Sequence, residues 1–176
     1  MIRRTLLIAA SVLALTTVGA GQGAWAAATE KDVQEALLEF NRTNPKVHTF
    51  MDAAHGYAVF PSVGKGGLVI GGSHGDGLVY EKGKLIGSTS LSQVSIGFQA
   101  GGQVFRELVC FQNKAALDRF KGGNFELDAK AGGVAVTADI SFDSAYEKGV
   151  AIFTMAKGGL MYEATVGGQK FTFEPK

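Results

Sequence analysis

The spacing of the apolar residues changes at Gly56. Before it, within residues 29–55, apolar side chains recur every three or four positions, which places them on one face of a helix. Two helices are predicted there, the first capped by Thr29 and the second beginning near Pro45. After Gly56, apolar and polar residues alternate nearly to the C-terminus, which predicts β-strands. One short helix, capped by Asn113, is predicted among these strands.

Residues 56–72, GYAVFPSVGKGGLVIGG, predict a β-hairpin. Pro61 is expected to end the first strand, because a proline cannot donate to the hydrogen bonds of a central sheet. The glycines on either side of Lys65 are expected to form the turn, and the second strand follows them. Nearly the same pattern, GVAIFTMAKGGLMYEA, returns at residues 149–164 with a spacing that is one residue shorter. We therefore expect both copies of the hairpin to lie in one sheet.

Further glycines divide the rest of the chain into short strands. Turns are predicted at Gly75–Gly77, Lys82–Lys84 and Gly167–Gly168. The run from Ser95 to Gln103 predicts one strand with an apolar face and a flat face of glycines and amides. Between Phe125 and Phe142 the apolar phase moves by one residue at Gly132–Gly133, as it does at a β-bulge.

These patterns predict an α+β fold. A bent, glycine-rich antiparallel sheet tends to curl towards a barrel. We expect a curved antiparallel β-sheet, half-barrel or barrel-like, with two N-terminal helices and one short internal helix packed on it. Two copies of a hairpin are too few for a solenoid, which needs three or more repeats.

Residues 1–26 have the composition of a cleaved export signal. A basic start precedes an uncharged apolar run at residues 6–18, and Ala24-Trp25-Ala26 is similar to a cleavage site. The alternative, an uncleaved anchor, would need a longer run, because a membrane-spanning helix takes ~20 apolar residues. We therefore expect a periplasmic or secreted protein whose single domain comprises residues 27–176.

The charge balance argues against one class of partner. The chain has 17 Lys and Arg residues and 16 Asp and Glu residues. Removal of Arg3 and Arg4 with the export signal would leave the mature chain near neutral. Nucleic-acid-binding domains carry a strong basic excess, so no nucleic-acid partner is expected.

No constellation for catalysis or cofactor binding is found in the sequence. The glycines lie between predicted strands and not before a helix, so they do not form a phosphate-binding loop. His48, His55 and His74 lack the spacing of metal ligands. Cys110 could form a nucleophilic triad with His74 and Asp76, but its apolar surroundings favour a buried, unreactive thiol. We expect a non-enzymatic protein with no cofactor and no metal.

An ordered set of motifs resembles the SYLF domain family. The motifs are Gly-x-Ala-x-Phe-Pro at 56–61, Lys65-Gly-Gly-Leu, Gly71-Gly72, Gly75-Asp-Gly77 and SIGFQAGGQ at 95–103. The likeness runs from about Glu30 to Phe173. The resemblance implies a compact α+β domain that binds phospholipid or phosphoinositide headgroups and performs no catalysis.

Lys65 and Lys157 are the expected lipid contacts, because each precedes the same Gly-Gly-Leu in the two hairpin copies. If the hairpins are neighbours, both lysines lie side by side at one rim and form an anion site with exposed backbone N–H groups. The backbone groups would belong to Gly66, Gly67, Gly158 and Gly159. The alternative interpretation is a pair of solvated turn lysines.

Gln99 and Gln103 are the second candidates for lipid contact, since a floor of glycines and amides permits close approach of a ligand. Their alternative role is that of an edge strand facing water. The expected partner is a phospholipid or a membrane surface. An alternative function is a protein-binding or envelope-assembly module that uses an exposed sheet edge, with an envelope protein as partner.

Overall fold

The computed structural model describes residues 27–67, 70–96, 103–123, 125–127, 133–136, 145–157 and 166–176. Among these residues, the helices are α1 Glu30–Thr43, α2 Lys46–Ala53 and α3 Lys114–Lys121. The strands are β1 Gly56–Gly67, β2 Ile70–Glu81, β3 Lys84–Ile96, β4 Gln103–Phe111, β5 Phe125–Glu126, β6 Val134–Ala135, β7 Val150–Ala156 and β8 Lys170–Pro175. The export signal predicted at residues 1–26 lies outside the described residues.

The helices begin where their capping residues predict. Thr29 and Asp32 form the predicted capping box of α1, each side chain accepting a hydrogen bond from the backbone N–H of the other residue. The Asn113 side chain caps α3. The buried stripe of α1 consists of Val33, Ala36 and Phe40. These helix predictions are confirmed, because caps and periodicity are local properties of the sequence.

The strands form one curled sheet in the order β5-β8-β3-β2-β1-β4-β7-β6. Gln169, next to β8, donates from Nε2 to Oε2 of Glu107 on β4 at 3.0 Å, although three strands lie between them. The rings of Phe60 on β1 and Phe171 on β8 lie 5.7 Å apart across the same side. We call this side the concave face. The predicted α+β half-barrel is confirmed, except that β6 and β7 pair in parallel.

The first strands of both copies, β1 and β7, lie in this sheet, as predicted, but they are not neighbours. Residues 158–164 of the second copy lie outside the described residues. β1 and β7 lie on either side of β4. The connection between β2 and β3 is also confirmed. Lys82 and Gly83 have φ values of 48° and 76°, which are the left-handed values of a tight hairpin turn.

Pro61 does not end the first strand, contrary to the prediction. β1 continues to Gly67, and its register with β2 shifts between Val59 and Ser62. This irregularity is a β-bulge, which lets the proline sit in a central strand without donating to the ladder. The glycines on either side of Lys65 therefore belong to the strand and not to a turn.

Gly75, Asp76 and Gly77 also lie inside a strand, β2, so the predicted turn is wrong. A Cβ on Gly75 would lie 2.8 Å from the carbonyl oxygen of Ser62, and one on Gly77 would lie 2.5 Å from that of Val59. Real side chains cannot come so close to the backbone. These glycines are required because the bulged part of β1 presses against β2.

Two predicted strands are each divided between distant parts of the sheet. The run from Ser95 to Gln103 ends β3 and begins β4, which are not adjacent. The run from Phe125 to Phe142 contributes β5 to one edge of the sheet and β6 to the other. The prediction of one bulged strand is therefore wrong. The phase change at Gly132–Gly133 separates two strands that pair with different partners, β8 and β7.

Apolar side chains are buried on both faces of the central strands. On the convex face, α1 and α2 cover a cluster that includes Phe40, Phe50 and Cys110. On the concave face, α3 packs with strand residues in a cluster that includes Phe111, Phe120 and Phe171. Strands that are buried on both faces carry no simple alternation of apolar and polar residues.

Candidate functional site

Four polar residues occupy one cross-strand row near the glycine-rich end of the sheet. The pairing register joins them across β3, β2, β1 and β4 in the order Gln93, Ser73, Lys65 and Gln103. Paired residues project from the same face, and the next row contains Val63 and Phe105 of the concave cluster. We call these four residues the polar row; it lies on the concave face.

Hydrogen bonds fix the buried half of the polar row. Ser73 Oγ donates to Gln93 Oε1 at 3.2 Å, and Gln93 Nε2 donates to the Gly167 carbonyl oxygen at 2.8 Å. Ser73 and Gln93 are both buried, whereas Lys65 is half-buried and Gln103 is exposed. A lysine ammonium and an amide N–H group therefore reach solvent side by side. Such a pair of donors suits an anionic group.

Lys157 lies at the same end of the sheet as Lys65 but on the other face. Its backbone N–H donates to the carbonyl oxygen of Val104 at 2.9 Å, which continues the register between β7 and β4. Val104 is next to Gln103 in β4 and therefore faces the opposite side. The pKa of Asp32 on α1 is lowered by its hydrogen bonds with Thr29 and by the charge of Lys157. The expectation that the two lysines lie side by side on one face is therefore wrong.

Gly66 leaves the backbone beside Lys65 uncovered. Gly66 is exposed, and an added Cβ there would meet no atom within 4 Å. Gly67 pairs with Gly71 of β2. The predicted contact of Gly66 and Gly67 with a lipid stays a prediction. Gln99, Gly158 and Gly159 lie outside the described residues, and their roles stay predictions.

Two exposed valines lie at the same end of the sheet. Val94 and Val104 are 77% and 39% exposed. Each follows a polar-row residue in its strand, so both project from the convex face. The glycine-rich end of the sheet therefore combines two lysines with two exposed apolar side chains.

Sequence reasoning missed a second polar group, which is buried in the concave face. It consists of Glu107, Thr154 and Gln169, and each is at most 1% exposed. Burial raises the pKa of Glu107 to about 8, and the hydrogen bond from Gln169 opposes this shift. The signal for Glu107 was present in the sequence, since it alternates in phase with Phe105 and Val109 of the core.

The nucleophilic triad considered from the sequence is not assembled. Cys110 pairs with Tyr57 on β1, whereas His74 pairs with Gly64 near the other end of that strand. Cys110 is fully buried, as predicted, and burial raises the pKa of its thiol. His74 and Asp76 lie 3.9 Å apart between Nε2 and Oδ1. Within the described ranges, no three His, Cys, Asp or Glu residues are grouped to hold a metal.

The chain is similar to a curated protein. Among curated proteins, the chain is 28% identical over 138 residues to Beta cell expansion factor A of Aeromonas veronii. The aligned region covers 77% of this chain and 52% of that protein, so the chain spans about half the length of the relative. No family model matches the chain. In the part of the chain that the structure describes, no helix has the length and apolar character to cross a membrane.

Proposed function

We propose that this protein is an exported, non-enzymatic domain that recognises phospholipid headgroups at a membrane surface. The observation that carries the proposal is the polar row. Lys65 supplies a positive charge, and Gln103 supplies amide N–H donors beside it. Phosphate oxygens are anionic acceptors that take both kinds of hydrogen bond.

The residues at the same end of the sheet as the polar row favour a membrane surface as the partner and not a small soluble anion. Val94 and Val104 are exposed at the same end, and Lys157 lies on their face of the sheet. Exposed apolar side chains next to lysines are typical of surfaces that rest on a bilayer. There the apolar side chains contact the acyl chains, and the lysines contact the headgroups. The periplasm or the exterior of the cell is the proposed location.

We also propose that the chain is a member of the SYLF family. The motifs between Gly56 and Gln103 support this assignment, and they include Lys65 and Gly66 at the proposed site. The similarity to the Aeromonas protein extends over most of the chain. Lipid recognition without catalysis follows from this family assignment.

The alternative function, protein binding through an exposed sheet edge, has less support. The outermost described strands are β5 and β6, and each is two residues long. Addition of a partner strand needs a longer run of unpaired backbone. The two outermost described strands therefore offer little backbone for strand addition.

Flotation with vesicles tests the proposal directly. We expect binding to vesicles that contain phosphatidylglycerol or a phosphoinositide and little binding to pure phosphatidylcholine. Replacement of both Lys65 and Lys157 by Gln should weaken binding to anionic vesicles about tenfold. Binding should also weaken as salt rises, because screening limits charge attraction to about 8 Å at physiological ionic strength.

Two results would contradict the proposal. One is equal binding of the double variant and the unmodified chain, and the other is binding that does not depend on salt. The next surface to test would then be the groove of about 220 Å³ between α1 and α2, which Leu37, Leu38 and Met51 help to line. Capture of a protein partner without lipid would support the alternative function instead.

A further inference from the structure

Glu107, Thr154 and Gln169 meet deep in the concave face, apart from the polar row. Glu107 on β4 pairs with Phe60 on β1 and with Thr154 on β7. The apolar row of Val63 and Phe105 separates this group from Lys65 and Gln103. Side chains that pair across a sheet have Cβ atoms about 4.5 to 5.5 Å apart, so Glu107 and Thr154 are in mutual reach.

Each of the three side chains has an oxygen without a hydrogen-bond partner among the described residues. Gln169 Nε2 donates to Glu107 Oε2 at 3.0 Å. The unpartnered atoms are Glu107 Oε1, Thr154 Oγ1 and Gln169 Oε1. Buried polar atoms in native proteins are nearly always paired, so three unpartnered oxygens on neighbouring side chains indicate a missing donor.

The missing donor has a defined chemistry. An ionised carboxylate and an amide oxygen only accept hydrogen bonds, and a hydroxyl oxygen also accepts them. A primary ammonium group carries three N–H donors, no acceptor and one positive charge. We propose that Glu107, Thr154 and Gln169 form a binding site for a protonated primary amine. A water molecule offers two donors and no charge, so with water alone Glu107 would keep its raised pKa and stay protonated near neutral pH.

The electrostatics of Glu107 agree with this assignment. Burial raises its pKa, and no charge of a described residue opposes the shift. The groups that face it are Phe60 from β1, Thr154 from β7 and Gln169, and none of them is charged. A bound ammonium would supply the counter-charge and lower the pKa of Glu107. Amine binding near neutral pH should therefore release a proton.

A glycine turn holds Gln169 in position. Gly168 has a φ of 76°, and the Gln169 carbonyl oxygen accepts from Leu127 N–H at 2.9 Å. The carbonyl oxygen of Gly167 accepts from Gln93 of the polar row, so one turn supports both polar groups. The amine could be free in solution or part of an aminophospholipid headgroup. The site does not depend on the proposed function, because its residues are distinct from those of the polar row.

The test uses the full chain and a matched pair of cations. Methylammonium has three N–H donors, whereas tetramethylammonium has the same charge and none. At pH 9, where Glu107 is largely ionised, methylammonium chloride should raise the melting temperature in a saturable way. It should also lower the pKa of Glu107, read from the ¹³C shift of its carboxyl group, by at least one unit. Tetramethylammonium chloride at the same ionic strength should do neither.

Two variants assign the effect to the site. Glu107→Gln keeps the shape of the side chain without its charge and should abolish the response to methylammonium. Thr154→Val, which removes one acceptor and keeps the volume, should weaken the response at least threefold. Both variants should still bind anionic vesicles, because Lys65 is unchanged. Loss of vesicle binding in Lys65→Gln with an intact methylammonium response would separate this site from the proposed function.

Short-chain lipids identify the source of the amine. Dihexanoyl phosphatidylethanolamine carries the N–H donors, and dihexanoyl phosphatidylcholine lacks them. A shift of the Glu107 pKa by the first lipid and not by the second would identify an aminophospholipid, whereas a response to methylammonium alone would identify a free amine. Equal responses to both cations, or no response to methylammonium, would overturn the proposal and leave an ordered water or a protonated carboxyl group at the site.

Discussion

The concave face carries two polar groups that differ in their access to water. At the rim, Lys65 and Gln103 reach solvent, and the buried half of the polar row is closed by its own hydrogen bonds. In the interior, Glu107 is fully buried beside unpartnered oxygens. An exposed charge costs a fold almost nothing, whereas a buried unpaired charge is expensive.

Because of this difference, we expect the interior group to influence stability and the rim to influence ligand affinity. Changes to the interior group should alter the free energy of unfolding and its dependence on pH. Changes at the rim should alter affinity for a ligand and leave stability nearly constant. Substitutions in the interior and at the rim test this separation.

The largest effect is expected from Glu107→Gln. The folded-state pKa of Glu107 is raised from 4.5 to about 8, so the folded protein binds more protons than the unfolded chain between these pH values. Stability should therefore fall as pH rises from about 5 to 8, by as much as roughly 5 kcal/mol. Glu107→Gln has no ionisable group at this position and should lose that slope. Urea unfolding at several pH values between 5 and 9 measures both proteins.

The two proteins should differ most at pH 8 to 9, where the ionised Glu107 destabilises the unmodified chain. Below pH 5 their stabilities should converge, since Glu107 is then protonated in both the folded and the unfolded states. Parallel pH profiles would show that the buried carboxyl group has an ordinary pKa and that the interior of the concave face is wet.

A smaller effect is expected from the glycines of the two regions. Gly77 packs on Phe60, the β1 neighbour of Glu107, and an added Cβ would lie 2.5 Å from the Val59 carbonyl oxygen. Gly77→Ala should cost about 1 to 3 kcal/mol, because the backbone at the bulge must move. Gly66→Ala, at the rim, should change stability by less than about 0.5 kcal/mol. Comparable midpoints for the two variants in urea unfolding would refute the close approach of β1 and β2.

The helices, the sheet class and the turn at Lys82–Gly83 were predictable from the sequence, because caps, periodicity and turn residues act locally. The strand ends were not. Pro61 and Gly75 carry turn signals in the sequence, yet both lie within strands. The β-bulge in β1 explains both positions. It accommodates Pro61 within the strand, and it brings the backbone of β1 so close to β2 that only glycine fits at position 75. Because the requirement for glycine in β2 depends on the bulge in β1, the sequence of one strand alone does not predict it.

The two hairpin copies show that a repeated sequence does not determine from which face of the sheet its side chains project. Phe60 and Phe153 hold corresponding places in the two copies, yet Phe60 faces the concave side and Phe153 the convex side. The register pairs both Gly56 and Val150 with Phe111, so the copies are offset by one residue. Because both faces of these strands are buried, the same apolar residues suit either side. The sequence therefore could not predict which face each lysine takes.

The interior site was only partly predictable. Glu107 is a carboxylate that alternates with the apolar residues Phe105 and Val109 along β4. The alternation in the sequence therefore predicts that its side chain points into the core. Its partners Thr154 and Gln169 come from later segments, and Gln169 meets it only because the sheet curls. The polar row was unpredictable for a similar reason. Gln93 and Ser73 lie beside Lys65 only because of the pairing register of β1, β2 and β3.

The smallest effect concerns the lysines at the rim, and it compares the two faces. If the polar row is the headgroup site, Lys65→Gln should weaken binding to anionic vesicles about fivefold. Lys157→Gln, on the convex face, should weaken it no more than about twofold. Lys84→Gln is the matched control, because Lys84 is an exposed lysine at the other end of the sheet. It should bind as the unmodified chain does.

A double-mutant cycle sharpens this comparison. Lys65 and Gln103 pair across β1 and β4, so both would contact the same headgroup, and their substitution effects should not be additive. Lys65 and Lys157 lie on opposite faces, so their effects should add in free energy. Vesicle co-sedimentation at one fixed salt concentration measures the three single and two double variants. Additive losses for Lys65 with Gln103 would show that these side chains do not share one headgroup. A larger loss for Lys157→Gln than for Lys65→Gln would move the headgroup site from the concave face to the convex one.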